Sequence, residues 1–151
     1  MKTILQWIAE EERQMFSDAW LMTMLEDTLK YDYNFIYVVY DSDGQACCTR
    51  LGDCKADVTA LRGYMIINDI ADTSELLRIG VDSAYRQQGY ATILMKYYFD
   101  QIKCSQYLLE VRASNMGARA LYEKLGYKVI ATRKNYYSKP TEDGMIYERL
   151  A

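Results

Sequence analysis

No histidine occurs anywhere in the 151 residues. That absence removes Ser-His-Asp and Cys-His nucleophilic machinery, histidine-ligated zinc and a histidine general base, so any proton transfer falls to carboxylate, tyrosine, lysine, cysteine or water. An excess of positive charge is missing too. The 18 basic and 21 acidic residues leave a formal charge of −3, which argues against affinity built on phosphate neutralisation along a duplex, and no direct nucleic-acid partner is expected. No apolar run approaches the ~20 residues of a membrane span, and the start shows no basic, apolar and small-residue leader pattern. The expectation is a soluble, cytoplasmic protein without a membrane partner. Cys47, Cys48, Cys54 and Cys104 lack paired C-x-x-C spacing and are read as free thiols. A zinc site from the first three lacks a fourth nearby ligand, and no metal is expected.

What is present suits one domain over residues 1–151, as a monomer or homodimer, because the length supports one core of ordinary size. Residues 2–16 place Leu5, Ile8, Met15 and Phe16 at helical spacing among charges. A second helix, capped by Ser17 or Asp18, carries Leu21, Met24, Leu25, Thr28 and Leu29 as one stripe. From Tyr33 the aromatic and β-branched run YNFIYVVY reads as a strand ending in the turn Asp41-Ser42-Asp43-Gly44. Further strands are predicted at 45–51, 57–67 and 75–81, a helix at 90–103, a strand at 105–113, a helix at 115–125 closed by Gly126, and a last strand pair, 127–137 and 145–150, around the Lys139–Gly144 turn. The order implies an α+β or mixed α/β fold with helices on a mostly antiparallel sheet.

One junction has chemical potential. The strand LLRIGV runs into Asp82-Ser83-Ala84-Tyr85-Arg86-Gln87-Gln88-Gly89-Tyr90-Ala91 and then a helix. Helix-opening amides without intrahelical partners, at the positive end of the dipole, make an anion site, and Gly89 permits close backbone approach or a positive φ. The same pattern also fits an ordinary strand-to-helix turn.

Four segments taken together, IGVDSAYRQQGYA, LEVRASN, ALYEKLGY and the late RKNYY with EDG, resemble the GNAT acetyltransferases. Within them the likeness is to the RimI-type enzymes that acetylate the N-terminal alanine of a small-subunit ribosomal protein. The likeness covers about residues 75–147 in order and spacing. It implies a GNAT-like fold, acetyl-CoA as cosubstrate and a protein N-terminus as acceptor partner. It also implies that Ile79, Gly80 and Val81 pair with the pantetheine arm, that Gln87, Gln88, Gly89, Tyr90, Ala91 and Thr92 hold the pyrophosphate, and that Asn115 contacts the cofactor. Glu110 would be the general base and Tyr122 the general acid. Two other functions stay open: acetylation of a small amine or polyamine, and coenzyme A binding by an interaction module without turnover.

The residue types suit this chemistry. A protein α-amine with a pKa near ~8 must lose a proton before attacking a thioester, and a carboxylate can take it; a tyrosine with a pKa near ~10 can return one to the thiolate. Seven residues separate Asn115 from Tyr122, two helical turns or about 10 Å along one face. Leu108, Glu110 and Arg112 share a strand face opposite Tyr107, Leu109 and Val111. Arg112 therefore stands ready to pair with Glu110 and lower its pKa. The chain departs from the family in two places. The usual first strand is reduced, since MKTILQ leads almost directly into a helix, and the stretch QACCTRLGDCKADVTALR is read as an added hairpin that replaces an edge strand, covers the acceptor site or forms a subunit contact.

Overall fold

The computed structural model describes residues 1–151. No strand precedes the first helix, α1 (Ile4–Met15). Thr3 caps it through a reciprocal pair of bonds: its hydroxyl accepts from the Gln6 amide at 3.1 Å, and the Gln6 side chain accepts from the Thr3 amide at 2.8 Å. The second helix, α2 (Met22–Thr28), is shorter than its apolar stripe predicts and is not capped by Ser17 or Asp18. Both side chains are used elsewhere. Ser17 Oγ accepts from Arg112 at 3.2 Å, and Asp18 Oδ1 lies 3.6 Å from Arg78 Nη2.

Seven strands follow: β1 (Asn34–Ser42), β2 (Gln45–Arg50), β3 (Leu61–Ile70), β4 (Thr73–Val81), β5 (Gln106–Arg112), β6 (Lys128–Tyr137) and β7 (Glu142–Leu150). Between them lie α3 (Tyr90–Gln101) and α4 (Met116–Lys124). They form one sheet in the order β2-β1-β3-β4-β5-β7-β6. Of the three uses expected for the added hairpin, the order shows the first: β2 is the edge strand beside β1. The strand expected from residue 57 begins only at Leu61. Asp57 closes a single 3-10 turn over 58–60 by accepting from the Thr59 amide at 2.9 Å, a local bond that competes with strand pairing.

The helices lie on two faces. Trp7, Ile8 and Ala9 of α1 and Leu25 of α2 bury one face of β1 and β3 against Ile36, Val38, Tyr64 and Ile66. Leu94, Met95 and Tyr98 of α3 and Tyr122 of α4 bury the other against Tyr37, Val39, Met65, Ile67, Leu109 and Tyr147. The alternation read along 106–112 holds: Tyr107, Leu109 and Val111 are buried, while Leu108, Glu110 and Arg112 are partly open.

One break in the sheet positions everything below. All neighbours are antiparallel except β4 and β5, which run parallel with α3 as the crossover. They pair only over Thr73–Leu76 and Gln106–Leu109. Beyond that, β4 stays on β3 and β5 stays on β7, so the two part company. Leu77 has no counterpart on β3, where Leu76 faces Ile67 and Arg78 faces Ile66. Such a bulge bends and twists its strand, which carries β4 away from β5.

Candidate active site

The fork between β4 and β5 is a cavity of about 680 Å³, and an adjoining groove of about 480 Å³ meets it. Leu76, Leu77, Arg78, Glu110, Asp18 and Tyr137 line both. Ile79, Gly80 and Val81 form one wall of the larger cavity. Their backbone bonds go to Met65, Tyr64 and Gly63 of β3, and no strand pairs with them on the β5 side. An unpaired inner strand edge is an uncommon thing for a sheet to leave open, because its amides and carbonyls need partners. Gly80 is required by close packing: a Cβ there would stand 2.6 Å from Met15 Cε and 2.7 Å from the Tyr64 hydroxyl.

A buried polar cluster holds this wall to α1. Glu12, fully buried, accepts from Arg78 Nη2 at 2.7 Å, Arg78 Nε at 3.1 Å and the Trp20 amide at 3.0 Å, and also from the Tyr64 hydroxyl. Sequence spacing does not suggest this contact, since 66 residues separate Glu12 from Arg78.

At the far end of β4 the chain turns into α3. Gln87 and Gly89 have φ of 62° and 86°, the left-handed conformation that suits glycine. The Ile93 amide, bonded to the Gly89 carbonyl at 3.0 Å, is the first with a helical partner. The amides of Tyr90, Ala91 and Thr92 thus have none, and a Cβ on Gly89 would meet nothing within 4 Å. The cavity wall reaches Arg86, and Gln87 to Thr92 continue beyond it along the turn.

Glu110 lies where the cavities join. Its side chain is 20% exposed, and Oε2 is buried without a hydrogen-bond partner. Burial pushes its pKa up, Arg133 pulls it down, and Glu75 adds to the upward pressure. Arg112 does not pair with it, contrary to expectation. Its guanidinium instead donates to the Ser138 and Pro140 carbonyls at 3.0 Å each, to Ser17 Oγ, and to Glu142 Oε2 at 3.3 Å, so it ties the β6–β7 turn to the segment after α1. The fork lets that turn come within reach. Arg133 of β6 is the cation beside Glu110, with Nε 3.5 Å from Oε2.

Tyr122, 5% exposed, lines the cavity from α4 and rests against the rings of Tyr127 and Tyr147, at centroid distances of 5.8 and 6.3 Å. Burial, with Tyr137 adding to it, drives its pKa above the usual phenol range, which keeps the hydroxyl protonated. Asn115 caps α4 by accepting from the Ala118 amide at 3.2 Å and also lines the cavity. The structure therefore brings Ile79, Gly80, Val81, Glu110, Asn115 and Tyr122 around one space. Sequence reasoning missed Gly144, Arg133, Asp18 and Glu75 there. Arg133 and Gly144 stood inside the late RKNYY and EDG segments, but only strand register aligns them.

An open-edged strand and a carboxyl–phenol pair line one cleft, and a helix-opening turn with unpaired amides continues beyond its end. A sequence profile of the acetyltransferase (GNAT) family matches residues 2–127, and the chain belongs to that family. It is 38% identical over 87 residues to the [Ribosomal protein bS18]-alanine N-acetyltransferase of Escherichia coli (strain K12), a match covering 56% of this chain and 57% of that protein's length. The crystal structure of the ribosomal-protein-S18-alanine N-acetyltransferase from Escherichia coli superposes with a TM-score of 0.78 at 24% identity, over 99% of this chain and 90% of that one. The NatC complex bound to Gag peptide and CoA has the same fold at a TM-score of 0.75 and 16% identity, over 100% and 92% of the two chains.

Proposed function

We propose that this chain moves acetyl from acetyl-CoA to the N-terminal amine of a protein, the alanine of a small-subunit ribosomal protein. The observation that carries the proposal is the fork: an unpaired strand edge on β4 runs past a partly buried carboxylate whose Oε2 has no hydrogen-bond partner. The relatives named for bS18-alanine acetylation support the acceptor.

The residues present fit acetyl-CoA. The open amides and carbonyls of Ile79 to Val81 suit an arm of alternating amide groups, as another strand would. Gln87, Gln88, Gly89, Tyr90, Ala91 and Thr92 offer unpaired amides at a helix N-terminus to a diphosphate. A cavity of about 680 Å³ falls within the range of ligand pockets, about 300–1,000 Å³. Asn115 faces the same ligand from the cap of α4. When bound, acetyl-CoA supplies an activated acyl group and a thiolate leaving group.

Glu110, directly or through one water, takes the proton from the acceptor ammonium, and the freed amine attacks the acyl carbon. Burial raises its pKa toward that of the amine, while Arg133 favours the ionised form. As the carbon–sulfur bond breaks, Tyr122 gives its hydroxyl proton to the departing sulfur; the adduct nitrogen sheds its second proton through water to the phenolate, and Glu110 releases the first to solvent. No step needs histidine.

An alanine-starting peptide and a panel of free amines that includes polyamines, each incubated with the chain and acetyl-CoA, test the proposal. The expected result is one acetyl group on the peptide N-terminus by intact mass. Turnover of free amines alone refutes the protein acceptor, and coenzyme A binding without any turnover leaves only an interaction module.

A further inference from the structure

The 3.5 Å ion pair between Arg133 and Glu110 spans an intervening strand. β7 lies between β5 and β6, and Gly144 faces Arg112 on one side and Arg133 on the other. Directly paired residues share a face, as do Arg112 and Glu110 two residues apart, so all four positions address the same face. A Cβ on residue 144 would stand 2.5 Å from Glu110 Oε2. The glycine is thus the gap across which the carboxylate and the guanidinium meet. Arg133 also lies over the Tyr136 ring, 5.0 Å from its centroid. The β6 register shifts between Arg133 and Tyr137, and the Asn135 amide, at φ 54°, donates to Asp143 Oδ1 at 2.9 Å, which pins that irregularity.

Arg133 is close enough to favour charge on Glu110, yet it makes no hydrogen bond to Oε2, which is buried and left without a partner. Other charged and titratable groups share the space. Glu75 and Arg78 come from β4, Tyr136 and Tyr137 from β6, Asp18 from the segment after α1, and Tyr122 from α4. Arg86 and Lys139 also line the larger cavity, Arg78 is committed to Glu12 and Arg112 to Glu142, and Arg133 is the cation paired with Glu110.

We propose that Arg133 is a positioning residue that holds Glu110 ionised and in place at the fork without hydrogen-bonding to its buried Oε2. The assignment rests on Glu110 as the base, and its role is to extend turnover toward lower pH. Glu75 opposes it from the other side of the fork.

The test is Arg133→Met, with Arg133→Lys and Glu75→Gln beside it. Arg133 is 55% exposed on an edge strand, where substitution leaves folding nearly unchanged. The Glu110 side-chain carboxyl is titrated by carbon-13 NMR, its resonance assigned by its loss in Glu110→Gln, and kcat/KM for the peptide is measured across pH. A neighbouring opposite charge at a partly exposed site lowers a carboxyl pKa by about 1 pH unit. Arg133→Met therefore raises the Glu110 pKa by about that amount and lowers kcat/KM about tenfold on the acid limb, while the alkaline plateau stays within about twofold. Arg133→Lys keeps most of the native profile, Glu75→Gln moves the limb to lower pH, and coenzyme A affinity is the same in all. An unmoved Glu110 titration, or a loss of rate uniform across pH, overturns the assignment. Full activity in Glu110→Gln overturns the base itself, an outcome separate from the NMR result.

Discussion

Removing the carboxylate of Glu12 exposes what holds the β4 wall of the cavity in place. In Glu12→Ala, Arg78 keeps its charge in a position only 13% exposed with just the partly exposed Asp18 left 3.6 Å away, the Tyr64 hydroxyl loses its acceptor in a fully buried site, and the Trp20 amide loses a 3.0 Å bond. Breaking a buried ion pair by deleting one partner costs about 3–5 kcal/mol, because the remaining charge is stranded. The Tyr64 hydroxyl alone, left unsatisfied, accounts for about 1–3 kcal/mol of a similar total. The two figures overlap rather than add, so a loss of about 4 kcal/mol is expected, an apparent fall in Tm on the order of 10 °C for a chain of this size. Urea unfolding followed by tryptophan fluorescence suits the measurement, since Trp7 and Trp20 both lie beside this cluster. Glu12→Gln, whose amide oxygen still accepts from Arg78 and the Trp20 amide while its NH2 group can only donate toward the Tyr64 oxygen, should lose less. A loss below about 1 kcal/mol in Glu12→Ala would mean that water reaches Arg78 freely, and the cluster would then not be what fixes α1 to β4.

Tyr122→Phe keeps the ring packed against Tyr127 and Tyr147 but removes the proton donor. Turnover should fall about 10²–10⁴-fold with coenzyme A affinity within about twofold, and steady-state kinetics with calorimetry would show otherwise if the phenol is idle. Gly89→Val forces a β-branched residue to φ 86° and adds bulk where the unpaired amides gather. Coenzyme A binding is expected to weaken by about tenfold or more, and unchanged affinity places the diphosphate elsewhere. Glu11, 5% exposed, has its pKa raised from 4.5 to about 7 by burial and by the adjacent Asp82 carboxyl. The folded chain then binds a proton that the unfolded chain has released between those values, so its contribution to stability is full below pH 4.5 and is lost as pH rises through about 7. The loss is at most about 3 kcal/mol, and denaturation of Glu11→Gln over that pH range should lack it.

Some features were decided by chain-local chemistry and were legible as such. The apolar stripes of α1 and α3, the alternation through β5, the Gly89 turn and the Asn115 cap each depend on neighbours within a few residues, where spacing translates directly into position. Glu110, Tyr122 and Asn115 were singled out because each sits in a short contiguous segment that carries the family resemblance. The length of α2 and the start of β3 were misjudged for a related reason. A propensity stripe does not register that Ser17 and Asp18 bond to residues 60 or more positions away, or that Asp57 prefers its own turn.

The partner of Glu110 was a matter of register alone. Along the chain Arg112 is the nearest cation, two residues away, whereas Arg133 is 23 residues distant. Sheet order places β7 between them, a glycine at 144 opens the way, and the β6–β7 turn draws Arg112 off to Glu142. The residues themselves determined which chemistry was available: carboxylate, phenol and unpaired amide, with no imidazole. Only the folded sheet, by parting β4 from β5 past Leu76, decided that those groups face a common space, because strand pairing sets distances that sequence separation does not contain.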